Sequence, residues 1–112
     1  MVASVLLAIS WQTEAQAQER VASWYGPGLQ GNPTASGEPF NMYEYQCAHR
    51  YFEFGTRITL GHEGEVATCR VTDRGPFNWG RDVDAAWIVA RDLGLLDEGV
   101  DSVRFIRVAS PY

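Results

Sequence analysis

A chain of 112 residues carries nine arginines and no lysine against 14 carboxylates, a formal charge of −5. Its 46% hydrophobic content, with four Trp, five Tyr and five Phe, suits one packed domain and excludes a disordered tail. The acidic balance excludes nucleic acid as a partner, which would need a basic face, and no apolar run approaches the ~20 residues of a membrane span.

Val2 to Ile9 form a short apolar run, followed by Thr13-Glu14-Ala15-Gln16-Ala17. Small residues at 15 and 17 fit the A-x-A rule of signal-peptide cleavage, although no Arg or Lys precedes the run. A signal peptide over residues 1–17 is expected, with an N-terminal helix as the alternative, and one domain over 18–112. Loss of Glu14 with the leader brings the charge to −4.

Val21 to Tyr25 predicts a strand, and the dense turn formers from Gly26 to Pro39 predict a long ordered loop. Gly26-Pro27-Gly28-Leu29-Gln30-Gly31 satisfies G-x-G-x-x-G, but no helix opens there to receive a pyrophosphate, so a nucleotide site is excluded. Ser36 lacks the G-x-S-x-G frame of a nucleophile elbow, and Pro33 spoils Asn32 as a glycosylation acceptor. His49 falls in a stretch that reads as a strand edge. Arg57 to Leu60 alternates as a strand, Gly61-His62-Glu63-Gly64 reads as a hairpin turn, and Glu65 to Thr72 alternates again. On this last strand Ala67, Cys69 and Val71 share one face. Asp73-Arg74-Gly75-Pro76 breaks it, with loop to about Arg81. Ala85 to Leu93 lacks Gly and Pro, and the spacing of Trp87, Ala90 and Arg91 predicts a short amphipathic helix ending at Gly94. Ser102 to Val108 is a final alternating strand. Short strands and one short helix indicate a mainly β, small barrel.

Two cysteines in an exported small domain favour a Cys47–Cys69 disulfide, which would close a loop of about 23 residues worth roughly 3 kcal/mol. A thiol of the pair acting with His49 is the alternative on residue types alone. No C-x-x-C accompanies the two scattered histidines, so no metal site is expected.

His49, Asp73, Asp84 and Glu38 each have an ordinary structural reading: a hydrogen-bonding histidine, a turn aspartate, a helix N-cap and a solvated side chain. Together they supply what cleavage of a glycosidic bond needs, a carboxylic acid and groups that tune it. Trp24, Tyr25, Tyr43 and Trp79 offer flat faces for sugar rings, or core packing.

The ordered motifs Ala22-Ser23-Trp24-Tyr25-Gly26, Thr34-Ala35-Ser36-Gly37-Glu38, Ala48-His49-Arg50, Phe54-Gly55-Thr56 and Asp73-Arg74-Gly75-Pro76-Phe77 are followed by Gly80-Arg81, Asp84 and Leu93-Gly94. From about Val21 to Val108 this pattern resembles the rare lipoprotein A (RlpA-like) domain, related in fold to expansins and one class of endoglucanases. The resemblance implies a six-stranded double-psi β-barrel with one or two short helices. It also implies lytic transglycosylation of peptidoglycan glycan strands to a 1,6-anhydro product, without cofactor or metal, by a monomer that is secreted, periplasmic or wall-associated. By the same resemblance Asp73 is the catalytic acid and then base, and His49 the catalytic partner that holds or tunes it. Glu38, Asp84, Trp24, Tyr25, Ser36 and Arg74 would contact the glycan, and members with cysteines at these places support the Cys47–Cys69 bridge. The chain departs from the family at Phe52-Glu53, where Leu-Pro is usual, and at Ala85-Ala86, where the family has Leu-Ser after the aspartate. The alternatives are a non-catalytic, expansin-like wall-binding module and a hydrolase using Asp73 with Asp84 or Glu38.

Overall fold

A computed structural model describes residues 18–112, so the expected signal peptide lies outside the described residues. Six strands close into a barrel: β1 (Gln18–Trp24), β2 (Gln46–His49), β3 (Arg57–His62), β4 (Glu65–Asp73), β5 (Val83–Ala85) and β6 (Val100–Ala109). Around the barrel they run β1-β5-β2-β4-β3-β6, with parallel pairs β1–β5 and β2–β4 and antiparallel pairs elsewhere. This is the mainly β, six-stranded double-psi barrel that the motifs imply. Closure leaves no free sheet edge. Among the described residues one α-helix, α1 (Trp87–Asp92), and a short 3-10 turn (Pro27–Leu29) complete it.

Strand alternation builds the core. Ile58 and Leu60 of β3, Ala67, Cys69 and Val71 of β4, and Val103 and Phe105 of β6 point inward beside Ala22, Val83 and Ala85. The helix covers this core with Val89 and Ala90, followed by Leu93 and Leu95. Cys47 and Cys69 are both buried and joined in a disulfide with Cα atoms 5.7 Å apart. That leaves no free thiol to act with His49, and it cross-links β2 to its hydrogen-bonded neighbour β4.

β1 is Gln18–Trp24 rather than Val21 to Tyr25 and β6 is Val100–Ala109 rather than Ser102 to Val108, and three further differences have a structural cause. The hairpin turn is Glu63-Gly64 alone, both residues at positive φ (47° and 86°), which is the geometry of a two-residue turn that matches strand twist. Gly61 and His62 therefore continue β3. The helix starts two residues late, because Ala85 is paired with Trp24 and Cys47 and its backbone is already committed to the sheet. Its N-cap, Ala86, makes no side-chain capping bond, as the missing hydroxyl of this family position would predict. His49 stands not at an edge but in β2, an interior strand with all four residues buried.

Candidate active site

The sheet register assembles the site. Ala48 of β2 is paired with Asp84 of β5 on one side and Asp73 of β4 on the other, and Asp84 is paired in turn with Ser23 of β1. One row across four strands therefore reads Ser23, Asp84, Ala48, Asp73. Two strand spacings separate the aspartates, so their Cα atoms stand about 10 Å apart. Ala48, the residue between them, is itself buried. Asp84 has no capping role, since the helix begins beyond it.

The two carboxylates have opposite surroundings. Asp73 accepts three hydrogen bonds: Ala35 N–H and Arg74 N–H on Oδ1, each at 2.9 Å, and the Tyr25 hydroxyl on Oδ2 at 3.2 Å. Gly75, at φ 117°, makes the turn after Arg74 in a conformation that a side chain would resist. Asp84 accepts one bond, from the Ser23 hydroxyl at 3.2 Å. Burial, reinforced by the Asp73 charge, pushes Asp84 up from an ordinary 3.8 to about 6 against the opposing effects of Ser23 and Arg81. Burial, with the charges of Asp73 and Asp84, also raises Tyr25, which keeps the phenol protonated as a donor. Its ring sits edge-on to Phe40 at 4.6 Å, so Tyr25 serves through its hydroxyl and packing rather than as an open stacking face. Trp24 likewise packs partly against the core.

Several expected glycan contacts spend their polar atoms inside the protein. Both oxygens of Glu38 are taken by Arg70, at 2.6 and 3.0 Å, which holds Glu38 below its usual range. This bidentate pair straps the 34–38 loop to β4. Ser36 bonds Thr34 at 2.9 Å and receives Glu38 N–H at 3.3 Å, folding the same loop that delivers Ala35 to Asp73. Arg74 donates to the carbonyls of His49 (3.1 Å) and Phe52 (2.8 Å), with its guanidinium 4.0 Å from the centre of the Phe54 ring.

The resemblance implies that His49 holds or tunes Asp73; among the described residues it makes no hydrogen bond to Asp73. It is 4% exposed, its Nδ1 accepts the N–H groups of Tyr51 and Phe52 (both 3.2 Å), and its ring stacks on Phe52 at 3.7 Å. The family departure at Phe52 thus supplies the stacking face. Burial, then the Arg50 charge, depresses His49 from 6.5 to about 4, so the ring is neutral at ordinary pH.

Along the loop after Asp73 opens a cavity of about 450 Å³, lined by Arg50, Phe77, Trp79, Arg81 and Asp82 among others. Its lining does not include Asp73 or Asp84. Phe77 and Trp79 are 81% and 102% exposed, an apolar pair presented to solvent beside charged groups. Among the described residues Trp79 is thus the aromatic most open for stacking, and Tyr43 is also exposed. Among the described residues, His62, Glu98 and Asp101 form a separate acidic cluster near the β3–β4 turn.

Comparison with known proteins places this geometry in context. A family model described as "Lytic transglycolase" matches residues 17–105. A Synechocystis protein named "Probable endolytic peptidoglycan transglycosylase RlpA" is 44% identical over 85 residues, covering 74% of this chain and 26% of its own length. An Aquifex aeolicus protein of the same name is 43% identical over 81 residues, covering 70% of this chain and 36% of that one. The Helicobacter pylori "Endolytic peptidoglycan transglycosylase RlpA" is 38% identical over 88 residues, covering 77% of this chain and 28% of its own. The chain thus spans about a quarter to a third of the length of these relatives. Among solved structures, the Streptomyces papain inhibitor superposes with a TM-score of 0.63 over 82% of this chain and 96% of the inhibitor. At 18% identity that likeness concerns the fold alone.

Proposed function

Because the chain belongs to the lytic transglycolase family, we propose that it cleaves peptidoglycan glycan strands by lytic transglycosylation at the Asp73–Asp84 row. The carrying observation is the pair of aspartates on either side of Ala48 with unlike surroundings, one rich in donors and one desolvated. Such divergence assigns acid and base.

Asp84, raised to about 6, retains a proton where an ordinary aspartate has lost it, and gives it to the glycosidic oxygen as the C1–O bond breaks. Asp73, whose oxygens both accept, faces the positive charge developing at C1 and takes the proton of the C6 hydroxyl. That oxygen then bonds to C1 and closes the 1,6-anhydro ring. The proton returns from Asp73 to Asp84 through solvent, so no water is consumed. This exchanges the donor role that the sequence suggests for Asp73. Tyr25 and the 35–38 loop orient Asp73. The exposed Phe77 and Trp79 supply stacking surface for sugar rings, and the monomeric chain acts at the wall outside the cytoplasm.

Digestion of purified sacculi tests this. The native protein should release anhydro-muropeptides, and Asp73→Asn and Asp84→Asn should each reduce release by about 100-fold or more while remaining folded. Reducing-end products would select the hydrolase. Sacculus binding without release, unchanged in Asp73→Asn, would select the wall-binding module.

A further inference from the structure

We propose that His49 is a positioning residue that sets the Asp73 carboxylate through Arg74. The inference rests on the transglycosylase reading of the Asp73–Asp84 row.

The chain of contacts is continuous. His49 Nδ1 accepts two backbone N–H groups, from Tyr51 and Phe52, and thereby folds residues 49–52 into a turn. An atom that accepts hydrogen bonds carries no proton, so the neutral ring bears its hydrogen on Nε2. Stacking on Phe52 and edge contact with Tyr51 at 4.6 Å hold the ring flat within that turn. The turn aims two carbonyls, of His49 and Phe52, at the same Nη1 atom of Arg74. Arg74 is held from its side chain by this clamp and by the Phe54 face. Its own N–H is one of the two backbone donors that fix Asp73 Oδ1. Loss of the imidazole acceptor frees the turn, then the Arg74 side chain, then the backbone donor beside the carboxylate. A displacement of about 1 Å at such a group can cost on the order of 100-fold in rate.

The competing role is a direct one, in which Nε2–H touches substrate. Among the described residues Nε2 has no hydrogen-bond partner, yet no fully buried side-chain nitrogen or oxygen is left unpaired, so this atom keeps some solvent contact. Two substitutions separate the roles. His49→Asn places an acceptor oxygen where Nδ1 sits, whereas His49→Gln places its amide where Nε2 sits.

Release from sacculi, melting temperature and backbone amide exchange should be measured for both variants, for His49→Ala and Arg74→Ala, and for the His49→Ala/Arg74→Ala pair. We expect His49→Asn to keep kcat within about threefold, and His49→Gln and His49→Ala to lose about 100-fold with KM little changed. The double variant should lose no more than Arg74→Ala alone, since both act through one path. Exchange of the Arg74 amide should quicken about tenfold in the Gln and Ala variants and stay near native in His49→Asn. If His49→Ala does not fold, the Asn and Gln variants carry the comparison. Retention of activity by His49→Gln with loss by His49→Asn overturns the proposal, as does unchanged Arg74 exchange in all variants. If the native protein releases no anhydro product, the transglycosylase reading fails, and the exchange series still decides the positioning role.

Discussion

Replacing Asp84 by Asn tests the acid assignment without requiring turnover. Burial raises Asp84 from 3.8 to about 6. Between those values the folded chain holds a proton that the unfolded chain has released, so stability falls as pH rises. The difference corresponds to ~3 kcal/mol at most, and partial exposure brings it to about 1–2 kcal/mol. His49 acts in the opposite sense. It is lowered from 6.5 to about 4, so the unfolded chain takes up a proton that the folded ring refuses, and stability falls as pH drops through that window. That contribution is also up to ~3 kcal/mol.

In the native protein the two slopes oppose one another between pH 4 and 6, leaving a nearly flat stability curve. His62, which is raised, is fully stabilising below 6.5 and loses its contribution only as pH rises above it, outside the window. Asp84→Asn removes the carboxyl slope alone, and its amide oxygen can still accept from Ser23. The variant should gain about 1–2 kcal/mol at pH 7, and its stability should climb from pH 4 to 6.5. Urea unfolding at four pH values, followed by tryptophan fluorescence, measures this. A variant no more stable than native at pH 7, or a curve parallel to the native one, refutes the reasoning.

Reduction of Cys47–Cys69, or its replacement by alanines, should cost roughly 3 kcal/mol, read as a shift in the denaturation midpoint with and without reductant. Tyr25→Phe removes the hydroxyl that bonds Asp73 at 3.2 Å; release from sacculi should fall about tenfold with stability changed by about 1 kcal/mol. Trp79→Ala, at a side chain 102% exposed, should leave stability within about 0.5 kcal/mol while weakening sacculus binding several-fold. Unchanged binding would remove Trp79 from the glycan surface.

The longer strands, the hairpin and the disulfide are legible in the sequence because each rests on local pattern: alternation in β3, β4 and β6, the glycines at 61 and 64 that bracket the turn, and two cysteines to join. A small barrel follows from the run of short strands, whereas its double-psi form and the identity of Asp73 come from motif resemblance rather than from periodicity. β5 escapes any local reading, since three residues cannot display alternation and the adjoining sequence has helical character. The role of Glu38 escapes as well, because its partner Arg70 lies 32 residues away.

Sequence by itself determines that this is one small, acidic, disulfide-stapled β domain of the RlpA-like family, since composition and ordered motifs are properties of the chain alone. Only the tertiary structure decides how its ionisable groups divide the work. The short β2 strand between β4 and β5 sets Asp73 and Asp84 on either side of Ala48, and burial then raises the affinity of Asp84 for a proton. The same strand carries His49 into the barrel wall, where two backbone N–H groups claim Nδ1. A residue's neighbours across a barrel, and the water they exclude, exist only once the strands have met.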